Sequence, residues 1–231
     1  MTSTERVLVT GVDTRLGAAV RDHFNQRGAL TVGTVTEGQN SGPELTFVAN
    51  PSDRGEVSAA VAAAAEQLGG LDVLVVAHGL PMVAPFADQT MAQFWDHVDA
   101  TLTGSFLYAQ AAAEHMRHNT TGGRMVLTTS RWHIGGENLS AVATAAGGIV
   151  ALTKTLTRDF GGFGIGVNAV SLGALDSEWS ACDTAGGTPP GGRTGTVEQA
   201  AAVIGLLSQR QLGAAVGQIV NVDGGLSRNR V

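Results

Sequence analysis

The sequence predicts a doubly wound α/β domain built on a parallel sheet of about seven strands, with helices on both faces. Three observations lead to this prediction. Short segments rich in β-branched residues alternate with longer alanine-rich segments along the whole chain, as strands alternate with crossover helices. Segments such as residues 72–76 are apolar at both alternate positions, which indicates strands covered on both faces. No internal repeat or linker divides the 231 residues, so we expect one domain spanning 1–231.

The predicted strands are short and rich in Val, Ile, Leu and Thr. In chain order they span residues 6–10, 29–35, 45–49, 71–77, 123–129, 165–171 and 217–222. Most segments that join them are long enough to contain a helix, which parallel neighbours require. We therefore expect parallel pairing with right-handed crossovers.

The alanine-rich segments between the strands are predicted helices. They span residues 17–27, 52–68, 90–118, 139–160 and 197–209. Asp53 and Thr90 are residue types that favour the start of a helix, and Gly28, Gly69 and Gly161 stand just beyond predicted ends.

The longest Gly- and Pro-rich stretch lies between the sixth strand and the last helix. We interpret the region 174–196 as a flexible lid rather than a domain boundary, because it interrupts the strand–helix alternation only once. Glu178 and Trp179 lie within it, where they would either line a pocket or pack into the core.

Composition and charge exclude several classes of function. The formal net charge is -6 with a pI near 5.4, and the arginines are scattered, whereas a nucleic-acid surface needs clustered positive charge. We therefore expect protein or small-molecule partners and no nucleic acid. No apolar run reaches the roughly 18 residues of a membrane span, and the N-terminus does not resemble a secretory leader. With the single cysteine, Cys182, these features favour a cytoplasmic protein without membrane contact.

The turn after the first strand has features of a nucleotide-binding fold. It reads TGVDTRLG from Thr10 to Gly17 and leads into a helix. In Rossmann-like folds the glycines of this turn let the backbone approach a pyrophosphate, which rests on the helix N-terminus. Further motifs are LDVLVVAHG, GRMVLTTS, GFGIGVNAVSLGALDS and GQIVNVDGG. Together they resemble the short-chain dehydrogenase/reductase (SDR) family over essentially the whole chain. The resemblance implies a Rossmann-like fold and NAD(P)-dependent chemistry on a carbonyl or alcohol.

The family's nucleotide-binding positions are only partly matched in this sequence. Gly11 and Gly17 match the first and last glycine of the family's TGxxxGxG, but Arg15 stands at the middle one. Asn50 stands where the family has an acidic residue that contacts the adenine side. The family's NNAG is replaced by VAHG, with His78 as its third residue. The resemblance therefore implies a degraded NAD(P) site, and we expect no cofactor or weak binding of NAD(P).

The family's catalytic positions are changed further. An SDR uses a Tyr as general acid/base and a Lys four residues later that lowers the Tyr pKa, and the resemblance places this pair at Val142 and Ala146. Neither side chain can move a proton. The family's relay Asn corresponds to Thr101, and its substrate-orienting Ser is kept as Ser130.

The composition offers no replacement pair. Tyr108 is the only tyrosine and Lys154 the only lysine, and they lie on different predicted helices. General acid–base groups contribute on the order of 10²–10⁴ each to a rate. Ordinary SDR chemistry is therefore not expected.

Other polar residues could support different chemistry. Ser130 and His133 are three residues apart, as a nucleophile and its base can be, although the spacing supplies no carboxylate to orient the histidine. His78 replaces a residue near the expected nicotinamide end. His115 and His118 stand one turn apart near a helix end without a visible third ligand, so no metal site is predicted.

Three functions remain open from the sequence. We predict a non-catalytic SDR subunit that forms a homo- or hetero-oligomer with an SDR paralogue through the helices at 90–118 and 139–160, which carry the family's assembly surface. The alternative is an SDR-fold enzyme repurposed for cyclisation, isomerisation or dehydration of a small hydrophobic metabolite, with Ser130, His133, Thr101 or His78 as polar groups. The third is an NAD(P)-dependent oxidoreductase that works by unrecognised compensation.

Overall fold

The fold is a single seven-stranded parallel sheet covered by helices on both faces, as the sequence predicts. The computed structural model describes residues 4–37, 45–183 and 187–227. The strands are β1 Arg6–Thr10, β2 Leu30–Val35, β3 Thr46–Val48, β4 Val73–Val76, β5 Gly123–Ser130, β6 Ile165–Leu172 and β7 Ile219–Val222. Their order in the sheet is β3-β2-β1-β4-β5-β6-β7. The order reverses between β1 and β4, and doubly wound folds bind ligands at the carboxyl ends of strands around such a point.

Two apolar cores lie on opposite faces of the sheet. The helices are α1 Arg15–Gln26, α2 Arg54–Leu68, α3 Met91–Val98, α4 Gly104–Met116, α5 Ser140–Gly161 and α6 Val197–Leu207. Leu8 and Val9 of β1 enter different cores, because successive strand residues face opposite sides. One core contains residues of α1 and α6, such as Phe24 and Ile204, and the other contains residues of α2 and α4, such as Met116. This double burial explains why the strands lack a polar face.

The predicted helix at 90–118 is helical from Met91 to Met116, but it is not a uniform α-helix. A π-helical turn, Asp99–Thr103, separates α3 from α4. Gly104 follows this turn, and a Cβ there would stand 2.6 Å from Nε2 of His78 and 2.9 Å from Cβ of Pro51. The turn therefore carries the chain close to the end of β4. π-Helical turns are frequently found at functional sites.

The remaining predicted helices agree with the structure to within two residues at each end. The side chain of Asp53 accepts a hydrogen bond from the backbone N–H of Glu56, and Thr90 begins α3 with a capping box to Gln93. Gly69 ends α2 with φ at 68°, a conformation that favours glycine. Within the described ranges, no helix has the length and apolar character needed to cross a bilayer.

Candidate functional site

Six residues singled out from the sequence line one small cavity: Thr101, Ser130, Val142, Ala146, His78 and Trp179. The other lining residues are Val76, Gly79, His97, Ser105, Thr128, Thr129 and Ile149. The cavity offers about 10 Å³ to the centre of a water molecule, which is room for about one water. It lies where β4 and β5 end, because parallel strands bring their carboxyl ends to one edge of the sheet.

The two residues that the sequence analysis placed at the family's Tyr and Lys positions, Val142 and Ala146, are apolar and buried. Val142 is 1% exposed and Ala146 is 3% exposed, both on the face of α5 that meets the sheet. Thr129 donates a hydrogen bond of 3.0 Å from Oγ1 to the carbonyl of Ala146, which ties this helix to β5. This wall of the cavity therefore has no titratable group.

Ser130 and His133 are not arranged as a nucleophile and its base. Residues Arg131–Ile134 form a 3-10 turn after β5. This turn brings Nδ1 of His133 within 3.0 Å of the backbone carbonyl of Ser130, and the ring nitrogen donates there rather than to the hydroxyl. The Ser130 hydroxyl oxygen instead accepts from the backbone N–H of Trp132, at 3.2 Å. His133 is also absent from the cavity wall.

Gly11 and Gly17 are required by the local backbone. Gly11 has φ at 68°, and a Cβ there would lie 2.4 Å from Cα of His78. A Cβ at Gly17 would lie 1.9 Å from the carbonyl oxygen of Gly11. Thr14 begins α1, accepting from the N–H of Gly17 at 3.0 Å and donating to the carbonyl of Gly11 at 2.8 Å. The packing of the turn alone accounts for both glycines.

Carboxylates of a later segment contact the start of α1. Arg15 is the first residue of the helix, and its backbone N–H donates to Oε1 of Glu178 at 3.1 Å. Its guanidinium also donates to both oxygens of Asp176, at 3.0 and 3.1 Å. These hydrogen bonds lower the pKa of Asp176 below its ordinary value. The first N–H of α1, a natural ligand for a phosphate, is thus held by a side chain of the same protein.

His78 uses both ring nitrogens inside the protein. Nε2 is 3.0 Å from the carbonyl of Ala100, which can only accept, so this nitrogen carries the proton. Nδ1 then accepts from the hydroxyl of Thr10 at 2.7 Å, and that hydroxyl accepts from the N–H of Ala77 at 3.0 Å. Burial lowers the pKa of His78 to about 4. The ring is a neutral bridge between the ends of β1 and β4 and the π-helical turn.

Asn50 helps to form the start of α2. Its Oδ1 accepts from the N–H of Ser52 at 3.0 Å, and its own N–H donates to the carboxylate of Glu56 at 2.8 Å. The side-chain oxygen is therefore engaged locally, in the exposed turn where the family's acidic residue would contact adenine.

The residues 174–183, which we call the closing segment, lie against the cavity as well as the start of α1. Trp179 is buried and lines the cavity, and a Cβ on Gly79 would stand 3.3 Å from its Cζ2. The segment continues to Asp183 through a 3-10 helix, Glu178–Asp183. Residues 184–186 of the predicted lid lie outside the described residues.

A buried ion pair fixes the two ends of the closing segment. Arg131 donates from Nε to Oδ1 of Asp183 at 2.7 Å, and the two side chains are 8% and 11% exposed. The other carboxylate oxygen of Asp183 accepts from the N–H of Ala174 at 2.6 Å. The Arg131 guanidinium also lies over the ring of Trp132, with Cζ 4.0 Å from its centroid.

The only tyrosine and the only lysine lie in separate structural settings. Tyr108 is buried and donates to Oγ1 of Thr34 at 3.1 Å, while Lys154 is exposed and donates to the carbonyl of Gly217 at 3.0 Å. Neither residue lines the cavity. In the part of the chain that the structure describes, no group of three or more His, Cys, Asp or Glu residues is arranged for a metal ion.

Sequence reasoning missed His97, which lines the cavity from α3 and is 7% exposed. One signal was available: His97 lies four residues before Thr101, so a helix would place the two on one face. The contacts of Asp176 and Glu178 with Arg15 were also missed, and no local pattern indicates them.

Comparisons with known proteins agree with the fold. A family model described as enoyl-(acyl carrier protein) reductase matches residues 16–227. A short-chain dehydrogenase/reductase of Armillaria gallica is 32% identical over 192 residues, which cover 77% of this chain and 74% of the relative. The cis-4-hydroxycyclohexanecarboxylate dehydrogenase of Sinomonas cyclohexanicum is 30% identical, with 96% of each chain covered. The crystal structure of levodione reductase superimposes with a TM-score of 0.86 at 27% identity, covering 96% of this chain and 97% of that one.

Proposed function

Because the chain belongs to the short-chain dehydrogenase/reductase family, we propose that it is a member that does not transfer hydride by itself and serves as a non-catalytic subunit beside an SDR chain. One observation carries this proposal. The family resemblance assigns the Tyr and Lys positions to Val142 and Ala146, and both residues line the cavity together with Ser130. The pocket therefore lacks the family's proton donor and the residue that would hold the nicotinamide ribose.

The nucleotide turn supports the same proposal. A dinucleotide pyrophosphate needs the free N–H groups at the start of α1, but Glu178 accepts from the first of them. Asp176 binds the Arg15 guanidinium through both carboxylate oxygens, so this cation of the same turn is already paired within the chain. The residues as arranged do not fit a dinucleotide, and no step of the proposed function depends on one.

A groove on the outside of α4 and α5 supports assembly. It has a volume of about 250 Å³, its large apolar lining residues are Phe106, Leu156 and Phe160, and Gln110, Glu114 and Asp159 line it as well. Phe106 is 39% exposed on α4. Burying such a ring against another chain stabilises an interface by removing apolar area from water.

The test has two parts. First, NADH and NADPH are titrated into the purified chain by calorimetry, and we expect dissociation constants weaker than about 1 mM, or about -4 kcal/mol. Oxidation of either nucleotide with a panel of ketones is followed in parallel. Low-micromolar binding, or reduction of a ketone by the chain alone, would overturn the proposal.

The second part measures assembly by light scattering, for the chain alone and co-expressed with an intact SDR encoded beside it. We expect an oligomer that Phe106→Asp weakens. The matched control is Phe163→Asp, which changes another exposed phenylalanine just beyond α5. A strict monomer in both settings, or equal effects of the two substitutions, would contradict the pairing role.

A second candidate function is non-redox catalysis in the same cavity. The observation that favours it is that the polar residues Thr101, Ser130 and His97 line the cavity together with the apolar Val142 and Ala146. The two functions are compatible, because a subunit that transfers no hydride can still catalyse a proton transfer.

A further inference from the structure

His97 has a buried ring nitrogen without a partner at the cavity. The residue is 7% exposed, and it lines the cavity from the last turn of α3. Among the described residues, none makes a hydrogen bond to its Nε2. Leaving a buried polar atom unpaired costs about 1–3 kcal/mol. A side chain kept in this state is suited to bind a group that enters from outside.

Ser130 provides a hydrogen-bond donor in the same cavity. Its hydroxyl oxygen already accepts from the N–H of Trp132, so the hydroxyl hydrogen is available to donate into the cavity. Thr101 lies on the π-helical turn that follows α3, and its hydroxyl is near Gly79. The cavity therefore combines a nitrogen base with hydroxyl donors, and Val142 and Ala146 form an apolar wall.

We propose that His97 is a catalytic proton-transfer residue, which acts on a neutral carbonyl compound without any redox step. This inference rests on the second candidate function. Nε2 of His97 removes a proton from the carbon next to the carbonyl, the C–H electron pair forms a C=C bond, and the carbonyl π pair moves to the oxygen, giving an enolate whose oxygen accepts a hydrogen bond from Ser130. When the carbonyl compound carries a β,γ double bond, the enolate charge extends to the γ carbon, and the protonated ring returns the proton there. The result is an isomerisation in which no oxidant, reductant or second reactant is consumed.

The electrostatic setting of His97 suits a base. Burial lowers the pKa of His97 below its ordinary value, so the ring is neutral near pH 7 and has a free lone pair. Among the described residues that line the cavity, the other titratable group is His78, whose nitrogens are both engaged. No carboxylate, lysine or arginine lines the cavity in this part of the chain. A neutral ligand therefore fits better than a charged one.

Trp179 controls the space available to a ligand. The cavity as it stands has room for about one water, and the indole of Trp179 forms part of its wall. A ketone needs more space than the cavity now has, and Trp179 is the largest side chain of its wall. Trp179→Ala removes the ring and should open the cavity while leaving His97 unchanged.

The test uses acetone and cyclohexanone as probes in D₂O. Exchange of their hydrogens next to the carbonyl is followed by proton NMR with the wild-type chain and with Trp179→Ala. We expect protein-dependent exchange that is faster in Trp179→Ala. His97→Gln should reduce it by about 100-fold in either background, in line with the loss of a general base. The matched control His118→Gln changes an exposed histidine beyond α4 and should leave the rate unchanged.

Two further readouts separate catalysis from a structural role. The exchange rate of the wild type should rise with pH through an apparent pKa below 6.5, and this step should vanish in His97→Gln. Nitrogen-15 NMR should show the His97 ring with its proton on Nδ1, and this measurement stands even if the glutamine variant does not fold. A proton on Nε2, or a folded Trp179→Ala that exchanges neither probe, would overturn the inference. Exchange unaffected by His97→Gln would overturn it as well.

Adding NADH to the same samples tests the proposed function separately, because alcohol formation would contradict that function and leave the role of His97 standing.

Discussion

Asp183→Asn should destabilise the protein far more than the same substitution at Asp176. Both carboxylates belong to the closing segment, and each binds an arginine that lies outside it. Asp183 is 11% exposed and receives hydrogen bonds from Arg131 and from the N–H of Ala174. Asparagine keeps an oxygen for the Ala174 N–H but removes the negative charge. A guanidinium that is 8% exposed then loses its counter-ion. Breaking one side of a buried pair costs about 3–5 kcal/mol. We expect a loss at the lower end of this range, because Arg131 still stacks on Trp132.

The control substitution is chemically identical but exposed. Asp176 and its partner Arg15 have side chains that are 70% and 51% exposed, so solvent screens their attraction. Urea unfolding at pH 7, followed by circular dichroism, gives the free energy of unfolding of each variant. A loss of about 3 kcal/mol lowers the folded-to-unfolded ratio by about 100-fold. Equal losses for Asp183→Asn and Asp176→Asn would refute the reasoning from burial.

Three further predictions follow from buried groups. The pKa of His78 is about 4 in the folded chain, below its ordinary 6.5, so the unfolded chain takes up the proton first as the pH falls. Between pH 6.5 and 4 the free energy of unfolding should therefore fall by up to about 3 kcal/mol in the wild type and by less in His78→Gln. Equal falls in the two proteins would contradict the lowered pKa of His78. Burial raises the pKa of Cys182 to about 12, so iodoacetamide at pH 8 should alkylate the native thiol much more slowly than the thiol in urea, and equal rates would count against its burial. Val142→Tyr with Ala146→Lys should lower stability by at least about 1–3 kcal/mol, because large side chains enter a packed wall, and should yield no ketone reduction with either nucleotide. Cofactor-dependent reduction by that double variant would mean that the nucleotide site is intact.

Much of the fold could be predicted because it depends on patterns that every element repeats. Leu8 and Val9 face different cores, so β1 shows two apolar faces in the sequence. Asp53 and Thr90 cap helices with local hydrogen bonds that depend only on neighbouring residues. The family resemblance assigned Ser130, Thr101, Val142 and Ala146 to one site, and the four residues line one cavity in the structure, because parallel strands bring their carboxyl ends together.

The rest of the site depends on contacts without a local pattern. Asp176 and Glu178 meet Arg15 across more than 160 residues, and the path of the chain after β6 decides that contact. The i, i+4 spacing of His97 and Thr101 was the one available signal for His97, and it does not by itself distinguish a cavity wall from an ordinary core face. The π-helical turn after α3 changes the faces on which later residues lie, and a single period of 3.6 residues does not predict it.

Glu178 and Trp179 are consecutive residues, and this adjacency couples two subsites. Glu178 holds the first N–H of α1 and Trp179 lines the cavity. A backbone movement of the closing segment that displaces one of these residues therefore displaces the other. A ligand of either subsite then binds only the fraction of molecules in which the closing segment has moved away, and its apparent dissociation constant equals the intrinsic one divided by that fraction. With about one molecule in a hundred open, affinity falls by about 100-fold for any ligand. By thermodynamic linkage, occupation of one subsite would raise the affinity of the other by up to the same factor.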